Sequence, residues 1–271
     1  MIFKRIPLDE KYDNVYLDAY VADPAEIYTR KAILVIPGGG YHNVCSDREG
    51  EPIALAFMAQ GYNAFVLRYS VDRQKVFPGQ LIEASLAMKY IKDHAEEYKM
   101  DPDKIFVTGF SAGGHLAASL GILWHIPEIY EATGMEYGYN KPAGMMLCYP
   151  VISGDPAISH PGSFKNLLGK DEPTMEELKK VSLENYVDEK SVPLFLMHSS
   201  NDGVVPVRNA LALAGAYADA GKMFELHVYP DAPHGVALAN KITEKGTAKS
   251  VNSQMERWVR DAEIWAESLE F

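Results

Sequence analysis

The chain has few cysteines, no long apolar run and little positive charge, and each shortage narrows what the protein can be. Only two of its 271 residues are cysteines, Cys45 and Cys148, which is too few for a disulfide framework. No stretch approaches the roughly 18 consecutive apolar residues that a membrane-spanning helix needs. Because no Cys and His residues pair at the spacing of zinc ligands, neither a metal nor another cofactor is expected.

The charge balance is acidic, with 26 Lys and Arg residues against 37 Asp and Glu residues and a formal net charge of −11. Such a surface repels nucleic-acid phosphates and anionic membranes. We therefore expect a small-molecule substrate, with neither nucleic acid nor membrane as partner, while a homo-oligomer stays open. The N-terminal segment, MIFKRIPLDEKYDN, has no apolar run of signal-peptide length, which favours a cytoplasmic location.

Short runs of β-branched and aromatic residues alternate with longer helical patterns along the chain. This rhythm predicts an α/β fold with a mostly parallel central sheet of about eight strands and helices on both faces. Residues 3–21 alternate apolar and polar side chains and predict one or two antiparallel edge strands. The other predicted strands are 32–36, 64–69, 104–108, 144–150, 193–198 and 224–229. The predicted helices are 51–60, 79–98, 112–123, 206–220 and 251–269.

One stretch, residues 152–192, breaks this rhythm. It contains a loop rich in Gly, Pro and Ser and then an acidic helix over 174–180, and it lies between two predicted core strands. We interpret it as a small insertion in an otherwise single domain spanning 1–271. Because ligands of open α/β sheets bind beyond the carboxyl ends of the strands, the insertion could form a partial lid. A solvated crossover is the alternative.

The strongest chemical signal is Gly109-Phe110-Ser111-Ala112-Gly113, a G-x-S-x-G pattern. It stands between a predicted strand and a predicted helix, which is the context of a nucleophile elbow. The sharp turn crowds the backbone two residues on either side of Ser111, where glycine fits. The helix that follows presents its N-terminus to developing negative charge. We therefore predict Ser111 as a nucleophile, against the alternative of a simple Gly-rich turn.

A serine hydroxyl needs a base, and the base needs an orienting carboxylate. In this architecture the chain order is serine, acid, histidine. The predicted strand 193–198 is followed by Asp202, and the predicted strand 224–229 is followed by His234. These residues are the predicted acid and base. Three other aspartates are rivals for the acid: Asp155, Asp188 and Asp231.

Acyl transfer also needs hydrogen-bond donors for an oxyanion. The predicted strand 32–36 runs into Pro37-Gly38-Gly39-Gly40-Tyr41. Gly39 and Gly40 are candidates for this role together with the N–H of Ala112. A phosphate-binding loop is the weaker reading, because neither G-x-G-x-x-G nor a following Lys-Ser/Thr is present.

Several side chains near these segments have more than one reading. Tyr41 and His42 adjoin the glycine loop and are candidate substrate contacts. His115 is expected to be packed, and His198 to support the loop of the predicted acid. His160 reads as a surface or helix position, and the polar insertion that contains it and Asn166 could hydrogen-bond hydroxyl groups of a substrate.

Together these blocks resemble the bacterial acetyl-esterase and xylan-esterase-like α/β-hydrolases, relatives of the hormone-sensitive-lipase group. The resemblance rests on VIPGGGYHNVCSDREGEPIA, GFSAGGHLAASL, NDGVVPVRNALALAGAYADAG and YPDAPHGVAL. It implies an α/β-hydrolase fold and a serine carboxylesterase that cleaves short acyl groups, commonly acetyl groups on sugars, through an acyl-enzyme. It assigns the nucleophile to Ser111, the acid to Asp202 and the base to His234. Lipase-like relatives carry a histidine where Pro37 stands, and a large N-terminal cap for which this chain has little room.

Three other functions are alternatives to ester hydrolysis. Two of them would use the same three predicted catalytic residues, and the third would use none of them. An arylformamidase-like amide hydrolase would need the same triad. A prolyl-oligopeptidase-like peptidase would usually need a large additional domain. A binding module on a catalytically dead scaffold would predict a broken triad, whereas all three members are present at plausible positions.

Overall fold

The computed structural model of the chain describes residues 1–24 and 27–270. Its central feature is an eight-stranded sheet with the strand order β1-β2-β4-β3-β5-β6-β7-β8. The strands are β1 (Ile2–Pro7), β2 (Tyr16–Val21), β3 (Arg30–Ile36), β4 (Asn63–Arg68), β5 (Met100–Phe110), β6 (Met145–Cys148), β7 (Leu194–Ser199) and β8 (Phe224–Tyr229).

The sheet is antiparallel only at its start. Strand β2 pairs antiparallel with both β1 and β4, and every pairing from β4 through β8 is parallel. The mostly parallel sheet of about eight strands is therefore confirmed, as is the antiparallel beginning. Strand β2 is not an edge strand, however, because it lies between β1 and β4.

Helices cover both faces of the sheet, as predicted. They are α1 (Ser46–Glu49), α2 (Glu51–Ala59), α3 (Gly79–Asp93), α4 (Ser111–Ile122), α5 (Pro127–Thr133), α6 (Pro161–Leu168), α7 (Met175–Lys180), α8 (Arg208–Asp219) and α9 (Trp258–Glu267). Short 3₁₀ turns occur at Leu183–Asn185, Lys241–Thr243 and Met255–Arg257. Within the described ranges, none of the helices has the length and apolarity needed to cross a bilayer.

The central strands contribute side chains to two buried clusters, one on each face of the sheet. In β3, Leu34 and Ile36 belong to the cluster beneath α3, α4 and α8. Ile33 and Val35 belong to the cluster beneath α2 and α9. This alternation follows from the two-residue period of a strand. Because both faces are buried, the central strands read as continuous apolar runs.

The final helix and the insertion differ from their predictions. Helix α9 begins at Trp258 rather than near 251, because the side-chain oxygen of Asn252 accepts hydrogen bonds from the N–H groups of Gln254 and Met255. Such local bonds compete with helix formation. Helix α6 was not predicted, since its surroundings are rich in Gly, Pro and Ser. Its proline nevertheless occupies the first turn, where a missing N–H is tolerated.

Candidate active site

The turn at Ser111 is as sharp as the G-x-S-x-G pattern predicts. Strand β5 ends at Phe110, α4 begins at Ser111, and Ser111 adopts a φ of 54°. A Cβ atom on Gly109 would lie 2.3 Å from the carbonyl oxygen of Gly113, and one on Gly113 would lie 2.2 Å from that of Ile36. Only glycine fits at either position, so the close approach of β3, β5 and α4 holds the serine at the sheet edge.

Gly113→Ala is therefore expected to destabilise the protein, by about 1–3 kcal/mol if it behaves like other overpacking changes. The new methyl would meet backbone atoms of β3, which cannot rotate away. Gly215→Ala in α8 is the matched control, because its Cβ would meet nothing within 4 Å. Alanine at this helical position should raise the free energy of unfolding by about 0.5–1 kcal/mol. Urea unfolding measures both, and an unchanged midpoint for Gly113→Ala would contradict the close packing.

The structure brings the three predicted catalytic side chains into one hydrogen-bonded chain. His234 Nε2 lies 2.9 Å from Ser111 Oγ, and His234 Nδ1 lies 2.7 Å from Asp202 Oδ2. An ionised carboxylate only accepts hydrogen bonds, so Nδ1 carries the proton and Nε2 is left to accept from the serine hydroxyl. All three are largely shielded from solvent, with 8% of Ser111, 8% of Asp202 and 14% of the His234 side chain exposed.

Asp202 is held in its ionised form by its neighbours. Its Oδ1 accepts hydrogen bonds from the N–H groups of Val204 and Val205 at 2.9 and 3.0 Å. The buried His198 Nε2 lies 3.4 Å from its Oδ2. Burial alone would raise the pKa of Asp202, but hydrogen bonds from His198 and His234 outweigh it and hold the pKa well below its usual range. The acid is thus charged at neutral pH.

The three rival aspartates lie elsewhere. Asp231 belongs to the histidine loop, but its carboxylate binds Asn201 at 2.9 Å and also pairs with Lys249. Asp155 and Asp188 accept hydrogen bonds from backbone N–H groups of their own local turns. Of the four candidates, only the predicted acid meets the imidazole.

The glycine loop after β3 reaches the same edge of the sheet. Gly39 and Gly40 line a cleft together with Ser111 and His234, and Ala112 is the second residue of α4. In the described part of the chain, the N–H groups of Gly39, Gly40 and Ala112 have no hydrogen-bond acceptor. The N–H of Gly38 is already used, since it donates to Glu49 Oε2 at 2.8 Å. The three candidate donors are therefore available to an oxyanion.

The cleft has a volume of about 460 Å³, and most of the side chains that line it are polar or charged, although more of its surface is formed by apolar than by polar atoms. Among the described residues that line it, Val204 is the one aliphatic side chain. The other lining residues are Gly39, Gly40, His42, Cys45, Arg48, Glu49, Ser111, His160, Gly162, Asn166, His234, Gly235 and Lys245. A larger cleft of about 1150 Å³ lies at the opposite, amino-terminal edge of the sheet and holds none of the predicted catalytic residues.

The two side chains predicted to contact substrate have different surroundings. His42 lines the cleft, and its Nδ1 lies 3.1 Å from Asp72 Oδ1. Tyr41 instead points into the core, where it is 1% exposed and its hydroxyl lies 2.9 Å from Nδ1 of the buried His115. The packing expected for His115 is observed, and burial lowers its pKa to about 4.

Sequence reasoning placed His160 and Asn166 only in a possible lid and missed Glu49 and Tyr149. His160, read as a surface or helix position, lies in the cleft wall at the start of α6, where burial and then the nearby His234 lower its pKa. Asn166 in α6 donates from Nδ2 to the carbonyl oxygen of Gly40 at 2.9 Å. Glu49 and Tyr149 form a buried hydrogen bond behind the site. The one sequence signal for the residues of α6 was that the insertion containing them lies between two predicted core strands.

Comparison with known proteins agrees with this architecture. The BD-FAE family profile matches residues 17–217. The chain is 38% identical over 216 residues to endo-1,4-beta-xylanase B of Butyrivibrio fibrisolvens, a match that covers 78% of this chain and 33% of that protein. It is 30% identical over 211 residues to an acetylxylan esterase of Xylanibacter ruminicola, covering 76% of this chain and 41% of that protein. The chain thus spans less than half the length of either curated relative.

Solved structures match over nearly the whole chain. An acetyl ester-xyloside bifunctional hydrolase from Caldicellulosiruptor lactoaceticus has 33% identity and a TM-score of 0.82, with 98% of this chain and 96% of that chain covered. The carboxylesterase Cest-2923 from Lactobacillus plantarum has 26% identity and a TM-score of 0.84, with 98% and 97% covered. These likenesses confirm the α/β-hydrolase fold and the resemblance found in the sequence. The chain belongs to the BD-FAE family of α/β-hydrolases.

Proposed function

We propose that this protein is a serine carboxylesterase that hydrolyses short-chain, chiefly acetyl, esters of carbohydrates through an acyl-enzyme intermediate. The observation that carries the proposal is the hydrogen-bonded chain from Ser111 through His234 to Asp202. It lies beside three backbone N–H groups that have no acceptor among the described residues. A nucleophile, a base with an oriented tautomer and an oxyanion site are the parts that acyl transfer needs.

In the first half-reaction, Ser111 Oγ attacks the ester carbonyl while its proton passes to His234 Nε2. The carboxylate of Asp202 stabilises the resulting imidazolium through Nδ1. Negative charge then develops on the carbonyl oxygen, where the N–H groups of Gly39 or Gly40 and of Ala112 can donate to it. Collapse of the tetrahedral adduct expels the alcohol, which takes the proton from Nε2. Water repeats the sequence on the acyl-enzyme and releases the acid.

The walls of the cleft favour a small acyl group and a polar alcohol. Val204, the one aliphatic side chain among the described lining residues, is 49% exposed. Histidine, amide and charged side chains form the remainder of the large lining groups, and hydroxyl-rich sugars can hydrogen-bond to them. The names of the relatives, an acetylxylan esterase and an acetyl ester-xyloside hydrolase, support the same substrate class.

We expect acetyl esters to be preferred over octanoyl esters by at least about tenfold in kcat/KM, a ratio that corresponds to about 1.4 kcal/mol. Each buried methylene of an acyl chain contributes about 0.8 kcal/mol only where an apolar groove receives it, and Val204 is the one aliphatic side chain among the described residues that line this cleft. A series of p-nitrophenyl esters of increasing acyl length measures the ratio.

Acetate release from acetylated xylo-oligosaccharides, measured in the same conditions, tests the carbohydrate part of the proposal. Matched acetanilide and formanilide substrates test the amide-hydrolase alternative, and Ser111→Ala provides the blank. A preference for octanoyl esters would overturn the short-chain assignment. Faster cleavage of the anilides than of the esters would favour an amidase instead.

A further inference from the structure

A buried carboxylate, Glu49, lies behind the glycine loop at the inner wall of the cleft and takes no part in the proposed chemistry. It is the last residue of α1, it is 2% exposed, and one of its oxygens accepts the N–H of Gly38 at 2.8 Å. Gly38 in turn contacts the nucleophile turn, because a Cβ on it would lie 2.9 Å from Ser111 Cβ and 2.6 Å from the carbonyl oxygen of Phe110. Glu49 therefore fixes the first peptide of the loop that supplies the candidate oxyanion donors.

The second oxygen of Glu49 leads to the histidine loop. It accepts the hydroxyl of Tyr149 at 2.9 Å, and that hydroxyl accepts the N–H of Ala237 at 2.9 Å. The ring of Tyr149 meets the imidazole of His234 edge to face, with centroids 5.0 Å apart. Tyr149 follows β6 and is 1% exposed. One pair of side chains thus contacts both the loop of the base and the loop of the candidate oxyanion donors.

We propose that the Glu49–Tyr149 pair is a positioning bridge that holds the oxyanion loop and the imidazole of His234 in register with Ser111. The inference rests on the proposed function. A buried carboxylate facing two neutral donors is a costly way to stabilise a core. Here the pair of Glu49 and Tyr149 accepts the N–H groups of Gly38 and Ala237, which belong to two loops far apart in sequence. These two loops also carry the candidate oxyanion donors and His234. Catalysis depends strongly on sub-ångström placement of such groups.

The bridge predicts effects on turnover rather than on ground-state binding. Glu49→Gln keeps the shape but weakens the acceptor, and we expect kcat for p-nitrophenyl acetate to fall about 10- to 100-fold with KM within about threefold, since oxyanion donors act mainly in the transition state. Tyr149→Phe removes only the hydroxyl and should lower kcat about tenfold or more. The double variant should lose no more than the worse single variant, because both changes break one bridge.

Tyr62→Phe is the matched control. Tyr62 donates to the buried Glu263 at 2.5 Å, so it is also a buried tyrosine–glutamate pair. It precedes β4 and lies at the amino-terminal edge of the sheet, away from the cleft. This variant should lower the unfolding temperature as the bridge variants do, yet leave kcat within twofold. Binding of phenylboronic acid, which forms a tetrahedral serine adduct, should weaken in parallel with kcat in the bridge variants and not in the control.

The outcomes separate the inference from the proposed function. If the bridge variants keep kcat within twofold while losing thermal stability, the pair is only structural and the inference is wrong. If KM rises at constant kcat, Glu49 binds substrate instead, which also contradicts the inference. Should Glu49→Gln fail to fold, Tyr149→Phe decides alone, since it keeps the carboxylate.

A wild-type protein inactive on every ester would overturn the proposed function, and slower fluorophosphonate labelling of Ser111 in the variants would still support the bridge. No labelling of the wild type would overturn both.

Discussion

Replacement of Ser111 with alanine is expected to remove ester hydrolysis, with a loss of roughly 10⁴- to 10⁶-fold in kcat as in other triad enzymes. The change deletes one oxygen atom at the point where the histidine Nε2 lies 2.9 Å away. It leaves the flanking glycines and the φ of 54° in place, so circular dichroism and the unfolding temperature should change little. Initial rates with p-nitrophenyl acetate measure the loss.

A second serine of the same helix provides the control. Ser119 is buried in α4, and its hydroxyl donates to the carbonyl oxygen of His115 at 2.9 Å. Ser119→Ala should therefore keep activity within about twofold, because it removes an equivalent hydroxyl away from the cleft. If Ser111→Ala kept more than a tenth of the wild-type rate, the nucleophile would have to be sought elsewhere.

Asp202→Asn is expected to lower kcat by roughly 10⁴-fold without disturbing the position of the imidazole. An amide can present its NH₂ group to His234 Nδ1. The imidazole then carries its proton on Nε2, and Nε2 can no longer accept a hydrogen bond from the Ser111 hydroxyl. The pKa of Asp202 lies well below its usual range. The pH dependence of wild-type activity between about pH 5 and 9 should therefore contain no step from ionisation of this carboxyl. The variant should not regain wild-type activity at any pH in that interval.

The same substitution should also lower stability at neutral pH. A carboxyl whose pKa is lower in the folded than in the unfolded state stabilises the fold above the unfolded pKa, and the effect is lost as the pH falls through the folded pKa. Asp231→Asn is the control, because this exposed carboxylate pairs with Asn201 and Lys249 outside the triad. Its activity should stay within about threefold. Equal activity losses in the two variants would contradict the assignment of Asp202.

The meeting of Ser111, Asp202 and His234 at one edge of the sheet could be predicted because each of these residues is tied to a local pattern. Ser111 sits in a turn whose glycines are required by the backbone, and Asp202 and His234 each follow a short run rich in apolar and β-branched or aromatic residues, which predicts a strand. Parallel strands bring their carboxyl ends to one edge, so three separate segments become neighbours without any knowledge of the tertiary contacts. Strand β8, Phe224–Tyr229, was predicted with the observed bounds for the same reason.

What could not be predicted depends on contacts between distant segments. Glu49 and Tyr149 are 100 residues apart along the chain, and no periodicity links a short helix to the residue after a core strand. The direction of Tyr41 was equally hidden, because a backbone with a φ of 56° turns its side chain into the core rather than the cleft. His160 could be placed in the insertion but not in the cleft wall, because its neighbours Ser, Pro and Gly do not indicate which residues pack against them.

The bond between Asn166 and the carbonyl oxygen of Gly40 has a consequence for how substitutions in the insertion would act. The insertion that shapes the cleft is fastened to the glycine loop, and the N–H of Phe77 also donates to the carbonyl of Leu167 at 3.0 Å. The insertion is thus joined directly to the loop that carries the candidate oxyanion donors. Under the proposed function, a substitution in the insertion that broke this bond would be expected to change both substrate preference and turnover.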